Sequence, residues 1–314
     1  MDGPVTEPLL RLEFLSHGTL LMDDLDATRR FFEEFLGIEV VRTSTISFAI
    51  RLNSDTSVAC VALSKKVRQP GREYLRYYNI GLTVGDAVDV ARAHELAFEH
   101  KDSYDIRSVG DTESDGGCVN FLIEDRDGNF WQIMNDQAGQ RDAKPIGTSI
   151  LKANRMVHCA CEVVDLAQSR KLFEEVLGLE VVAEGPKSLA LRLNSTMTIR
   201  VKETGERRAM DKHGSHMGFD VASEEEVDAA REKLLTVQEQ YGISRIARPK
   251  HGHGNYSFYF IDRDDNHWEI LDNPKGGYTW RFEQGGDLER PFLPNNSDAT
   301  HWRELVDPET NEIK

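Results

Sequence analysis

The chain has 314 residues, 39% hydrophobic and 29% charged, which is enough length for about two domains of ordinary globular composition. Its 54 acidic and 38 basic residues leave a net charge of −16, without the basic surface a nucleic-acid binder needs to displace counterions. No apolar run approaches the roughly 18 residues that span a bilayer, and MDGPVTEPLLRLEF lacks the basic and apolar regions of a signal peptide, so a soluble cytoplasmic protein is expected.

In chain order, a short strand around His17 leads to a helix opened by Asp23 or Asp24 and closed by Gly37, with Leu25, Phe32, Phe35 and Leu36 as its apolar stripe. The β-rich runs ISFAIRL and VACVAL follow, then a strand at YNIGLTV and a second helix over 86–98. A closing strand carries DRDGNFWQIM, with a hairpin turn at Asp-Gly. The polar segment 141–154 reads as a linker. The same grammar then returns: a strand at MVHCACEVV, a helix opened by Asp165 and closed by Gly178, strands SLALRL and TMTIRV, a strand at SHMGFDV and a helix over 224–235. Ser223 and Glu226 form a capping box for that last helix, and DRDDNHWEIL closes the unit. The tail 274–314 has aromatic anchors (Tyr278, Trp280, Phe282, Phe292, Trp302) but no period of its own.

This is an internal duplication. HGTLLMDDLDATRRFFEEFLGIEVV from His17 matches HCACEVVDLAQSRKLFEEVLGLEVV from His158, an offset of 141, and RLNS recurs at that offset. The later segments match at an offset of 137, placing Asn79 on His216 and Gln132 on Glu269. Such fixed-period similarity implies two like-folded α+β domains, 1–140 and 155–273, with the tail packed on the second. Cys60, Cys118, Cys159 and Cys161 form no CxxC pair and read as reduced core residues.

An opening His, a second His after a polar loop and a late Glu in a D-x-[DG]-N-x-x-E hairpin resemble the vicinal-oxygen-chelate superfamily, that of glyoxalases, bleomycin-resistance proteins and dioxygenases. The two-domain plan with a tail is similar to the type I extradiol catechol dioxygenases. The resemblance covers about residues 11–272 and implies tandem βαβββ modules with concave mixed sheets.

Strand alternation puts His158, His216 and Glu269 each on the less bulky side of a strand whose other side is apolar. Two imidazoles and a carboxylate are the facial triad of non-heme Fe(II), and Mn(II) fits the same ligands. The matching positions of the first half are His17, Asn79 and Gln132; two are neutral amides, so the first domain is expected to hold no metal and His17 to be structural.

The resemblance also implies a catalytic Tyr ten residues before the Glu ligand, here Tyr259, and a catalytic His near the start of that segment, His251, with His253 as a substrate contact. The family's further acid–base His would fall near Lys202, where none stands; Lys202 and His213 are the nearest substitutes. The implied activity is Fe(II)-dependent ring cleavage of a catechol-type diol by dioxygen, in a homo-oligomer, with no nucleic-acid or membrane partner. Two alternatives stay open. One is a redox-neutral metal-dependent lyase or isomerase, many of which assemble four ligands from two modules. The other is a metal-free ligand-binding module.

Overall fold

A computed structural model describes residues 7–44, 46–52, 54–62, 79–135, 149–206, 215–252, 254–273, 277–283 and 287. Four similar units follow one another. The first contains β1 (Phe14–Met22), α1 (Leu25–Arg30), β2 (Glu39–Ser44), β3 (Ser47–Arg51) and β4 (Ser57–Ala62). The second contains β5 (Asn79–Gly85), α2 (Ala87–Glu99), β6 (Ser108–Val109), β7 (Glu113–Asp115), β8 (Cys118–Glu124) and β9 (Phe130–Asn135). The third contains β10 (Arg155–Val163), α3 (Leu166–Lys171), β11 (Glu180–Gly185), β12 (Ser188–Arg192) and β13 (Thr198–Glu203). The fourth contains β14 (Met217–Val221), α4 (Glu224–Tyr241), β15 (Arg245–Ile246), β16 (Lys250–Gly252), β17 (Asn255–Ile261) and β18 (His267–Asp272), and a short α5 (Trp280–Glu283) lies in the tail.

Local chemistry sets these boundaries. Asp24 caps α1 by accepting from the amides of Asp26 and Ala27; the helix runs on through a π-helical turn, Phe31–Leu36, to Gly37 at φ 80°. Asp165 caps α3 through the amide of Gln168. At α4, Ser223 accepts from the Glu226 amide, but the Glu226 carboxylate reaches the amide of Ala222 rather than completing a box with Ser223. That helix also runs six residues past the expected end, to Tyr241, because nothing in the polar stretch breaks it before Gly242 at φ 68°. In the closing hairpins Asp125 and Asp262 each hold their turn through two backbone amides and the following Trp Nε1. The left-handed position there is Gly128 in one copy and Asp265, at φ 66°, in the other.

The strands form two similar open mixed sheets of nine strands each, as the duplication implies. Their membership differs from the expected halves. One sheet runs β15-β17-β18-β14-β1-β4-β3-β2, joining the fourth unit to the first; the other runs β11-β12-β13-β10-β5-β9-β8-β6, joining the third to the second. The central seams are antiparallel, β1 on β14 (Phe14↔Asp220) and β10 on β5 (Arg155↔Thr83). The reason is that repeated units present the same strand edge, so β1 fits β14 as well as β5, and what precedes each edge decides. The amides of Leu9 and Leu10 bond the carbonyls of Glu175 and Val176, while those of Ile150 and Leu151 bond Glu34 and Phe35. Each entry segment is thereby laced to the opposite half. Sequence neighbours still meet on the helix side, where Phe31 and Phe32 pack on Trp131, and Phe173 on Trp268.

All four cysteines are free, three of them buried, and burial pushes the Cys159 thiol up to about 12, consistent with inert core packing. The described part of the tail packs on the first-and-fourth sheet. It lies largely against first-half residues rather than on the second half: Phe282 buries Val41 and Ala49, and Asp287 pairs with Arg29. Among the described residues no helix is long and apolar enough to cross a membrane.

Candidate metal centre

The middle of the first-and-fourth sheet gathers His17, His216 and Glu269. Alternation along β1 turns His17 and Thr19 to one face; Glu269 on β18 lies opposite Gly218 of β14, two residues beyond His216. The three ligand atoms form a nearly equilateral triangle: His17 Nε2 to His216 Nε2 3.1 Å, His17 Nε2 to Glu269 Oε2 3.1 Å, His216 Nε2 to Glu269 Oε2 3.2 Å. All three side chains are buried, at 1%, 8% and 3% exposure. Edges of that length are those of one face of an octahedron whose centre lies about 2.2 Å from each atom, close to metal–imidazole and metal–carboxylate bonds. The set therefore fits a divalent ion.

Supporting contacts aim the ligands. Ser257 Oγ donates to Glu269 Oε1 at 2.6 Å, which leaves Oε2 toward the imidazoles. Ser16 Oγ lies 3.1 Å from His17 Nδ1 and donates to Gly218 O at 3.3 Å, so it can accept from Nδ1 in the tautomer that would turn the Nε2 lone pair to a bound ion. Gly218 is required beneath the ring, since a Cβ there would fall 2.0 Å from His17 Cε1. Burial raises the Glu269 carboxyl, but the contacts with His17 and His216 outweigh it and hold it well below the usual carboxylate range. It is an anion ready for a cation.

The register exposes a four-point pattern. On each sheet the two central strands carry a residue of the set, and the strand beside each carries another opposite the residue two further on. In the first-and-fourth sheet these points are His17, His216, Glu269 and, opposite Thr19, Ala59. In the other sheet they are His158, Asn79, Gln132 and, opposite Ala160, Arg200. The metal set thus has three ligands and a methyl at its fourth point.

Two of the expected ligands, His216 and Glu269, belong to this centre; His158 does not. Its Nε2 lies 3.0 Å from Asn79 Oδ1 on the other sheet, and His17, expected to be structural, takes its place. Swapped sheet membership is the cause. The candidate set also draws His17 from the half expected to hold no metal. Tyr259 does line the centre, with its ring 5.0 Å from that of His216; burial and the neighbouring Glu269 charge hold its phenol well above the usual value. His251 stands on β16, exposed, stacked near Tyr256 and 3.9 Å from Glu224. Lys202 lies on β13 of the other sheet. His213 and His253 fall outside the described residues.

The sequence reading also missed Tyr278, whose ring packs 4.5 Å from His17 and whose hydroxyl meets the Asn255 side chain. Its only sequence signal was an aromatic in an aperiodic tail. Thr19 Oγ1, 3.1 Å from His216 Nε2, completes the wall.

No curated protein sequence matches the chain. Among solved structures, a "putative dioxygenase" from Bacillus subtilis superposes with TM-score 0.63 at 13% identity, over 86% of this chain and 88% of the other. Glyoxalase I from Zea mays gives TM-score 0.60 at 17% identity, over 82% of this chain and 92% of its own. These likenesses establish a shared fold. Residues 14–133 and 155–270 each match one family, and on that extent the chain belongs to the Glyoxalase/Bleomycin resistance protein/Dioxygenase superfamily.

Proposed function

We propose that the protein is an Fe(II)-dependent ring-cleaving dioxygenase acting on a small catechol-type aromatic diol, with His17, His216 and Glu269 as the ligands. The observation that carries this reading is the three-ligand face with Ala59 at the fourth point. His17, His216 and Glu269 would hold the ion from one side and would leave its other side free for a diol and dioxygen. When bound, iron would supply the redox coupling between an electron-rich diol and dioxygen. Mn(II) fits the same donors.

The chain's residues do the rest. Glu269 offsets one charge of the ion. Tyr259 keeps its proton through neutral pH and donates it in a hydrogen bond to Glu269, so beside the substrate it is a neutral phenol rather than a base. Tyr278, 5% exposed and tied to Asn255, closes the His17 side against water. His251, exposed on β16 beside Glu224, has no part in this reading. A redox-neutral lyase or isomerase is the second reading, supported by a ligand set that draws on both halves of the chain, as in four-ligand relatives.

The test is to load the purified chain anaerobically with Fe(II), count iron, and follow oxygen uptake with a panel of 1,2-dihydroxybenzenes. Uptake that disappears in His216→Ala supports the dioxygenase. Stoichiometric iron without uptake on any diol transfers the assignment to the redox-neutral reading, and failure to bind any divalent ion refutes both.

A further inference from the structure

The four-point pattern of the second-and-third sheet has been rebuilt with the opposite charge. The metal set carries one carboxylate and two imidazoles. Its counterpart carries His158, Asn79, Gln132 and Arg200, with no acid and one guanidinium. Arg200 reaches from β13 across the two central strands to donate from Nη1 to Gln132 Oε1 at 3.2 Å, and Gln132 Nε2 donates on to Asn120 Oδ1 at 2.7 Å. The guanidinium is thereby held over the position that corresponds to the metal of the other sheet. It is close enough that, after burial, its charge is the second cause keeping His158 neutral.

The floor of this site is as built as that of the metal centre. His158 is 1% exposed, donates from Nε2 to Asn79 Oδ1, and rests on Gly81, where a Cβ would fall 2.1 Å from the ring. The mouth is open, because Arg200 is exposed and Gln132 and Asn120 are half-buried. Arg200 spends one N–H on Gln132, and a guanidinium has five in a planar fork that matches a carboxylate. The amide nitrogen of Asn120 adds donors alongside once its oxygen is taken by Gln132. Arg200 and Asn120 turn donors to this mouth, and the one carboxylate on the same face of β10, Glu162, stands opposite Lys202.

We infer that this second site binds a small organic carboxylate, with the Arg200 guanidinium as a fixed cation in the place of a metal ion. A carboxylate takes the fork in two parallel bonds, with the amides at its flank. The inference stands apart from the proposed dioxygenase activity, since no member of the second set is a metal ligand.

The experiment titrates benzoate, with inorganic phosphate as the contrasting anion, into the whole chain by calorimetry. The His158 ring resonance, assigned by its loss in His158→Gln, is followed in parallel. Saturable benzoate binding that moves this resonance is expected, weakened about tenfold or more in Arg200→Ala and also weakened in Arg200→Lys, which keeps the charge and loses the fork. Metal content is expected to stay unchanged in both Arg200 variants, and His216→Ala is expected to lose metal while binding benzoate normally. Benzoate binding that survives Arg200→Ala but vanishes in His216→Ala would place the ligand on the metal and overturn the inference. So would no saturable binding, or equal phosphate binding fully kept by Arg200→Lys, which is a point-charge attraction only.

Discussion

Replacing each opening histidine by alanine separates the observed ligand set from the one the duplication suggests. His17→Ala removes one of three ligands and leaves His216 and Glu269 to hold the ion. Losing merely a hydrogen-bond partner of a ligand costs about 10–100-fold in metal affinity, so losing the ligand itself is expected to cost more than about 100-fold. His158→Ala touches no ligand atom. It deletes a buried ring and its 3.0 Å bond to Asn79, a loss of about 2–4 kcal/mol from cavity and hydrogen bond together. That lowers Tm by roughly 3–6 °C in a chain of this size. Competition with a chromophoric chelator gives the affinities, and circular dichroism gives the melts. The expected result is a folded, metal-free His17→Ala protein and a less stable His158→Ala protein with metal near one per chain. Metal lost in His158→Ala and kept in His17→Ala would refute the sheet assignment on which every distance at the centre depends.

Other perturbations follow from the same geometry. Ser16→Ala frees the His17 Nδ1 tautomer and is expected to weaken metal binding about 10–100-fold with little change in melting, measured by the same competition. Gly218→Ala drives a methyl into the His17 ring and should abolish metal binding, whereas Gly81→Ala does the same to His158 and should lower Tm with metal retained. His158 is neutral when folded, with a pKa held well below 6.5, so the unfolded chain binds the extra proton and its stability contribution is lost as pH falls below about 6.5. The stability gap between wild type and His158→Gln should therefore shrink by about 2 kcal/mol between pH 8 and pH 5, followed by urea unfolding; a gap independent of pH would contradict a buried neutral ring. Tyr259→Phe leaves all three ligands in place and is expected to lower turnover about 10- to 100-fold with metal content unchanged.

Much of this protein was legible in the order of its residues. Capping aspartates at 24 and 165, glycines at 37 and 178, and the paired DRDxNxW turns follow from rules that act within a few residues, and a duplicated pattern reads as a duplicated fold. Strand alternation likewise identified His216 and Glu269, because which face a side chain takes is fixed by its own strand. Cys159 and Cys161 were placed in the core for the same reason.

The partner of each strand was another matter. β1 and β10 carry the same opening histidine on the same edge, so the pattern that reveals the repeat is silent about which copy completes the site. The choice between His17 and His158 was made by distant contacts, the lacing of Leu9 and Leu10 onto Glu175 and Val176 and of Ile150 and Leu151 onto Glu34 and Phe35. Tyr278 was brought to His17 by a tail with no period to read, and Arg200 was set over the second site by a register across four strands. Local rules act through the backbone of a few residues and are written in sequence; pairing between equivalent edges is decided only when the whole chain has closed.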